Sequence, residues 1–260
     1  MGGTNIMQVT YTYRETSKMT ERPTVLVPIK VLEGESIPDG IPDLLSGAHV
    51  FLLGYHIVPE QTATGQAQMQ FEERASNRLD KFQELFETAG ATVEHRLVFT
   101  HEGQKTIDRM IYEHECEAVL VPSATADVSD VLVAVRGTVG IDRIARVVAA
   151  LFAGRDIGIT LVHILQHDET DDDAKLLLEG FTTNLEDLGV DPAKIEYRVL
   201  HDDKPIDALV DAAESYDAII MGESDPSLVT FVFGLRAEQV AERFLGPVLI
   251  VQRERAELSD

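Results

Sequence analysis

The chain has 260 residues, 44% of them hydrophobic, and its 45 acidic against 22 basic residues give a formal net charge of −23 at pH 7. Apolar content at this level suffices for packed cores, which argues against an intrinsically disordered protein. A surface so acidic repels nucleic acid and anionic membranes, so neither is expected as a partner.

The charge imbalance also indicates the salt concentration of the protein's surroundings. Only seven of the basic residues are lysine, and an acidic, lysine-poor composition favours a salt-rich cytoplasm, where mobile cations screen the repulsion between carboxylates. An ordinary acidic bacterial protein is the alternative.

Cys116 is the single cysteine, which excludes an internal disulfide, and its position just before an apolar strand predicts a buried side chain.

At the N-terminus, residues 1–20 lack the apolar core of a signal peptide and are expected to form a flexible extension, with Met19 as an alternative start. No apolar run approaches the ~18 residues that cross a membrane. We therefore expect a cytoplasmic protein.

From residue 24 onward, short β-rich apolar runs alternate with helical patterns, which is typical of βαβ units and a parallel sheet. The order strand, helix, strand, helix, strand, helix, strand occurs twice, with a period of about 105 residues. The matching segments are TVLVPIK (24–30) with DVLVAVR (130–136), HVFLLGYHIVP (49–59) with GITLVHILQ (158–166), TVEHRLV (92–98) with KIEYRVL (194–200), and TIDRMIYEHECEAVLVPS (106–123) with PIDALVDAAESYDAIIMGE (205–223).

The segments between the strands predict amphipathic helices. Residues 71–89 and their counterparts 173–188 each place apolar side chains on one face, and each is followed by a glycine that stops the helix. The acidic run DETDDD before the second helix is interpreted as a cap that meets the positive end of the helix dipole. A metal site formed by that run with His163 and His167 lacks any recognisable ligand spacing.

The two copies end differently. After Gly222 the second copy has room for a further helix and a last strand, PVLIVQ (247–252), whereas only eight residues separate Pro122 of the first copy from the next strand. We therefore expect a first domain of four strands at residues 21–128 and a second of five strands at residues 129–255.

The incomplete first domain predicts an assembly. Its outer strand edge must be covered by the second domain or by another chain. Residues 247–252 form a flat apolar strand, and an uncovered edge of that kind tends to find a partner. We expect the two domains to pack as an intrachain pseudo-dimer and the whole chain to form a homodimer.

The opening strands VLVPIK and VLVAVRG, the second strand LVHIL with its histidine, and DAIIMGE…G…PVLIVQ resemble the universal stress protein family in its tandem form, of haloarchaeal type, over residues 22–253. The resemblance implies two α/β domains, each a doubly wound parallel sheet of flavodoxin-like type with strand order 3-2-1-4-5. It implies a ligand at the carboxyl edge of strands 1 and 4 of a domain. It also implies dimers that pair their fifth strands.

The resemblance further implies what an ATP site requires. Family members that bind ATP carry an Asp at the end of strand 1 and Gly-x2-Gly-x9-Gly-Ser/Thr after strand 4, because glycines let backbone N–H groups approach phosphates. Here Gly222 matches the first glycine, Asp225 stands at the second, Gly234 follows after eight residues, and Leu235 replaces the hydroxyl residue. The first copy has VPSATADVSD in place of any glycine loop, so it is not expected to bind nucleotide in the family's manner.

The Asp of strand 1 is replaced by Lys30 in the first copy and by Arg136 in the second. One interpretation is a salt bridge to a nearby carboxylate. The other is a pocket that recognises an anion, in which Arg136, Arg236 and the N-termini of the helices at Thr138 and Gly234 would face a phosphate or the phosphate tail of a nucleotide. Gly137 is a further binding candidate beside Arg136. The sequence GTVG that begins at Gly137 has neither Rossmann nor Walker spacing.

No catalytic motif is present in the sequence, and His56 and His163, which follow the second strands, are interpreted as packing and hydrogen-bonding residues. We expect a universal-stress-type protein with a degenerate nucleotide loop, without cofactor or enzymatic activity, that acts by dimerising and binding protein partners. One alternative is a sensor whose second domain binds ATP, AMP or another anion. The others are a regulatory subunit of a cation or amino-acid transporter and an enzyme with weak ATP hydrolysis.

Overall fold

The computed structural model describes residues 22–123, 125, 127–135, 140–165, 169–202, 204–222, 244 and 246–252. The first half contains β1 (Thr24–Lys30), α1 (Gly40–Leu44), β2 (His49–Ile57), α2 (Thr64–Ala89), β3 (Thr92–Thr100), α3 (Gly103–Glu113) and β4 (Ala118–Val121). The second half contains β5 (Asp130–Ala134), α4 (Ile141–Phe152), β6 (Gly158–Ile164), α5 (Asp171–Asp187), a 3-10 turn (Pro192–Lys194), β7 (Ile195–Leu200), α6 (Pro205–Ala213), β8 (Ala218–Gly222) and β9 (Val248–Val251). The predicted N-terminal extension lies outside the described residues.

All nine strands form one sheet in the order β3-β2-β1-β4-β9-β8-β5-β6-β7. Each half is doubly wound and parallel, and its strands follow the predicted order, with four strands in the first half and five in the second. The halves meet where β4 pairs with β9 in antiparallel orientation, with Ala118 opposite Val251 and Val121 opposite Val248. The predicted fold class is therefore confirmed.

The prediction that residues 247–252 form an uncovered edge is wrong. β9 pairs with β8 on one side and with β4 on the other, and the Gln252 N–H donates to the Glu117 carbonyl at 2.8 Å. The physical reason is that the first half has no fifth strand of its own, so the open edge of β4 receives the fifth strand of the second half. The homodimer stays a prediction, but it requires a surface other than β9.

The two halves share one hydrophobic core on one face of the sheet. Side chains of α1, α2, α4 and α5 pack there against strands of both halves in a single cluster. The opposite face carries separate clusters, one under α3, which includes the buried Cys116 as predicted, and one under α6. Arg155, after α4, donates to the Asp43 carbonyl of the first half at 3.0 Å. The halves therefore pack as one unit within the described chain.

Two helices of the first half differ from expectation. α2 begins at Thr64 rather than at residue 71, because residues 64–70 favour a helix but bury only Ala67 and so lack an apolar face. α1 has five residues where its counterpart α4 has 12. Residues 31–39, between β1 and α1, form neither helix nor strand, and they border the carboxyl edge of the sheet. Among the described residues, no helix is long and apolar enough to cross a membrane.

Candidate functional site

A cleft of about 810 Å³ lies at the carboxyl ends of β1, β2 and β4, beside the N-terminus of α3. β1 has β2 on one side and β4 on the other, so the cleft opens where the strand order reverses. Open α/β sheets bind their ligands at this point. The first half therefore offers a ligand-sized cleft although it lacks the glycine loop.

Lys30 ends β1 at the wall of this cleft, and both of its polar groups are engaged. Its backbone N–H donates to Glu35 Oε2 at 2.7 Å, and its ammonium lies 3.6 Å from Glu33 Oε2. The salt-bridge interpretation of Lys30 therefore matches the geometry. The positive charge that was a candidate for anion recognition is compensated by a neighbouring carboxylate.

The loop between β1 and α1 brings Glu35 to the lining of the cleft and places Glu33 beside Lys30. The Glu33 N–H donates to the Lys30 carbonyl at 3.1 Å, which forms a turn, and Gly34 follows with φ +88°. The guanidinium of Arg78, on α2, donates to the Glu35 carbonyl and so fixes the loop from outside. The side chains of Glu33 and Glu35 are thereby held at the end of β1.

Tyr55, near the end of β2, forms another wall of the cleft. Burial, together with the negative charges of Glu35 and Glu33, raises the pKa of Tyr55 to about 12. The phenol therefore keeps its proton at neutral pH and serves as a hydrogen-bond donor. The same carboxylates that raise its pKa create a negative potential, which disfavours an anionic ligand.

The remaining wall combines apolar and hydroxyl side chains. Ile57, Gln104 and Ile107 line the cleft from β2 and α3, and Pro122 and Ser123 line it from the end of β4. The arrangement can hold an uncharged or cationic group among apolar walls. Among the described residues that line the cleft, the basic one is Lys30, and its ammonium has the Glu33 carboxylate beside it.

The second half places one candidate residue at the equivalent edge. Gly222 is the last residue of β8, which lies beside β5, and it pairs with Val251. The remaining candidates, which are Arg136, Gly137, Asp225, Gly234, Leu235 and Arg236, lie outside the described residues. The anion site built from them stays a prediction.

His163, on β6, is fully buried and uses both ring nitrogens. Nδ1 lies 2.9 Å from the Val135 carbonyl oxygen and Nε2 lies 2.8 Å from Glu169 Oε2. His163 thus joins the carboxyl end of β5 to the segment that leads into α5. Sequence reasoning expected a hydrogen-bonding histidine, but it interpreted the acidic run that contains Glu169 as a helix cap and so missed the hydrogen bond between the two residues.

His56 and the acidic run before α5 have structural roles. The His56 ring meets Phe71 and Phe99 edge-on, each with ring centres 6.0 Å apart, which agrees with the predicted packing role. Its Nδ1 is buried without a hydrogen-bond partner, so the hydrogen bond expected from the sequence is not made by this nitrogen. Thr170 and Asp173 form a capping box at the start of α5, and hydrogen bonds from Thr170 lower the pKa of Asp173. Capping is therefore confirmed for this part of the run. Within the described residues, no group of three or more His, Cys, Asp or Glu side chains is placed to hold a metal ion.

Comparisons with known proteins give matches among solved structures only. No family model matches the sequence, and no curated protein matches it. A universal stress protein from Archaeoglobus fulgidus is 16% identical, with a TM-score of 0.58 over 88% of this chain and 96% of its own. A protein from Pseudomonas aeruginosa assigned to the universal stress proteins is 13% identical, with a TM-score of 0.50 over 91% of this chain and 95% of its own.

A further universal stress protein from Archaeoglobus fulgidus, solved in complex with dAMP, is 24% identical. It covers 47% of this chain and 97% of its own, with a TM-score of 0.36. The two matches over most of the chain show the fold, which is that of universal stress proteins.

Proposed function

We propose that this chain is a cytoplasmic universal-stress-type protein whose first half has lost phosphate recognition, and that it acts in a stress response by binding rather than by catalysis. The observation that carries the proposal is the pair of carboxylates, Glu33 and Glu35, at the end of β1 beside the switch-point cleft. The fold and the position of the cleft support a binding protein. The carboxylates argue against a nucleotide in that cleft.

A phosphate at the end of β1 would need Lys30 as its partner. The ammonium of Lys30 is already paired with Glu33, and its N–H is bonded to Glu35. An incoming phosphate would have to displace one carboxylate while lying close to another, and like charges in close contact oppose binding. The first half therefore excludes the phosphate tail of a nucleotide while leaving room for an uncharged group or a segment of a protein partner.

The second half has a separate candidate function as a nucleotide sensor. Gly222 keeps the position of the first loop glycine at the end of β8, beside β5. If this half binds ATP or AMP, Arg136 replaces the usual contacts. The chain would then bind at most one nucleotide, in its second half. The transporter-subunit hypothesis has no comparable support and stays a prediction.

Nucleotide identification and calorimetry test the proposal on protein purified in multimolar KCl. Released nucleotide is identified by mass spectrometry after denaturation, and ATP, ADP and AMP are then titrated with and without Mg²⁺. We expect no more than one nucleotide per chain, lost in Arg136→Ala and kept in Lys30→Ala. Two nucleotides per chain, with one lost in Lys30→Ala, would overturn the proposal.

A gain-of-function variant tests the role of the carboxylates directly. Glu33→Gln combined with Glu35→Gln removes both charges, and we expect inorganic phosphate to bind this variant at least about tenfold more tightly than the native chain. Glu60→Gln removes one charge from an exposed loop and serves as the control. Equal phosphate affinity in all three proteins would contradict the proposal.

A further inference from the structure

Two helices on the same face of the sheet carry grooves of different character. A groove of about 580 Å³ on α2, here termed the basic groove, is lined by Glu73, Arg74, Asn77, Arg78, Lys81 and Phe82. A groove of about 380 Å³, here termed the α5 groove, runs along α5 beside the start of α4. Both helices belong to the core cluster that the two halves share.

The two grooves occupy equivalent positions in the internal repeat. The buried residues Ala75, Leu79, Phe82 and Phe86 of α2 correspond, at a constant offset along the chain, to Ala174, Leu178, Phe181 and Leu185 of α5. At the same offset, Arg74, Asn77, Arg78, Lys81 and Phe82 of the basic groove correspond to Asp173, Leu176, Leu177, Gly180 and Phe181 of the α5 groove. The repeat has thus kept the groove and changed its chemistry.

The basic groove gathers three cations in a chain with a net charge of −23. Arg74 and Lys81 are exposed and make no ion pair with any residue that the structure describes. Arg78 is held between the Glu35 carbonyl and the Phe82 ring, whose centre lies 5.5 Å away. Arginines four residues apart repel each other on a helix. Glu73 alone offsets this charge within the groove, so the groove favours an anionic surface.

The α5 groove offers such a surface. The carboxylates of Asp142 and Asp173 flank it, and Leu176, which is 72% exposed, forms its rim. A Cβ atom added at Gly180 would meet no atom within 4 Å, so the middle of the groove is open. Over their whole lengths α5 has six carboxylates and one lysine, and α2 has five carboxylates and three cations, so the contrast in charge lies in the linings of the two grooves. The two grooves are therefore complementary in charge.

We infer that the basic groove docks on the α5 groove of a second copy of this chain, which gives a twofold symmetric dimer. α2 packs over β2 and β3, and α5 packs over β6 and β7, so the helices cover opposite ends of the sheet. A twofold axis parallel to the strands, with the two helical faces opposed, places each α2 over the partner's α5, so the contact forms twice. This inference rests on the homodimer that the sequence predicts and supplies the surface that β9 does not provide.

Light scattering coupled to size exclusion, over a range of protein concentrations in KCl, measures the dimer. Arg74→Glu with Lys81→Glu reverses two exposed charges, and we expect the dimer to dissociate at least about tenfold more readily. Gly180→Trp projects a large side chain from a position where an added Cβ atom meets no other atom, and we expect the dimer to dissociate at least about tenfold more readily. Lys105→Glu, on α3 at the opposite face, is the matched control and should leave the dimer unchanged.

The outcomes separate clearly. A dimer weakened by both groove variants and unaffected by the control supports the inference. A monomer at every concentration overturns it, and so does a dimer that neither groove variant weakens. Unfolding midpoints equal to that of the native chain verify that the variants are folded. The groove variants change neither Arg78, which holds the loop of the cleft, nor any residue that lines the cleft, so failure of the proposed function and failure of this interface are distinguishable.

Discussion

At the residue scale, a single carboxylate fixes the beginning of the second half. Asp217 Oδ2 accepts hydrogen bonds from the Ser129 N–H at 2.8 Å, the Asp130 N–H at 2.9 Å and the Ser129 hydroxyl at 3.0 Å. We expect Asp217→Ala to lower the free energy of unfolding by about 1–3 kcal/mol, because two backbone donors lose a charged acceptor. Urea unfolding at constant KCl measures the difference, with Glu60→Ala as an exposed control.

The contribution of Asp217 also depends on pH. Partial burial raises the pKa of Asp217, but the hydrogen bonds from Ser129 and Asp130 outweigh it, and the pKa falls below its ordinary value of 3.8. A carboxyl with a lowered native pKa stabilises the fold above its unfolded pKa and loses that effect as the pH falls through the native value. The difference in free energy of unfolding between the native chain and Asp217→Ala should therefore be constant around pH 7 and shrink below about pH 4. A difference that persists unchanged in acid would contradict this account.

The sequence predicted an individual site residue only where that residue is the last one of a recognisable strand. Lys30 was a candidate because it closes the apolar run of β1, and the structure places it at the cleft. Glu35 and Tyr55 were not, because one lies in an irregular loop and the other reads as part of a buried strand. Likewise, the sequence drew attention to His163 and to the acidic run that contains Glu169, but not to the hydrogen bond between them, since the segment that separates them has no periodicity. Contacts made by irregular segments leave no repeating signal in a sequence.

At the scale of elements, the fit between α4 and the turn after α1 joins the two halves. A Cβ atom at Gly47 would lie 2.3 Å from the carbonyl oxygen of Ala150, and helix backbone cannot yield easily. We expect Gly47→Ala to cost about 1–3 kcal/mol of unfolding free energy as an overpacked contact.

Gly65→Ala is the matched control, since Gly65 lies in α2 with no atom within 4 Å of the added methyl group. It should be neutral or stabilise the protein by up to about 1 kcal/mol, because alanine favours a helix over glycine. Urea unfolding of both variants decides the point. Equal effects of the two substitutions would show that α4 does not press against this turn.

Elements were predictable where their patterns were strong. The sequence also predicted that the second domain or another chain covers the open edge of the first, and the pairing of β4 with β9 confirms the first alternative. The repeat predicted the strand order within each half, and the missing fifth strand of the first half was visible in the short spacing after Pro122. That β9 would fill this place could not be deduced, because periodicity indicates a strand but not its neighbours. The start of α2 was missed for a related reason, since residues 64–70 face solvent and carry no apolar period.

At the scale of the whole molecule, fusion of the halves leaves the sheet with two outer strands, β3 and β7. Both carry the Glu-x-Arg pattern that the repeat alignment predicts, with Glu94 and Arg96 in β3 and Glu196 and Arg198 in β7. Charged side chains on an edge strand discourage pairing with another sheet. Both outer strands of the described sheet are therefore poor partners for a second sheet, and the homodimer that we propose would have to form elsewhere, as on the helical face where the two grooves lie.

The net charge of −23 predicts that the thermal stability of the chain depends on the salt concentration. Carboxylates over the entire surface repel each other more in the compact state than in the unfolded one, and salt reduces this repulsion. The Debye length falls from about 10 Å at 0.1 M to about 3 Å at 1 M salt. We expect the thermal unfolding midpoint to rise by more than about 5 °C between these KCl concentrations and to change less above them.

A variant with fewer charges distinguishes screening from a general salting-out effect. Glu84→Gln, Glu186→Gln and Asp187→Asn together remove three exposed carboxylates of α2 and α5 away from the helix N-termini while keeping side-chain size. If screening dominates, this variant should be more stable than the native chain at 0.1 M KCl and should gain less from added salt. If added KCl raised the thermal unfolding midpoint of both proteins equally, KCl would act by strengthening the burial of apolar surface. The acidic composition would then have no role in the stability of the fold.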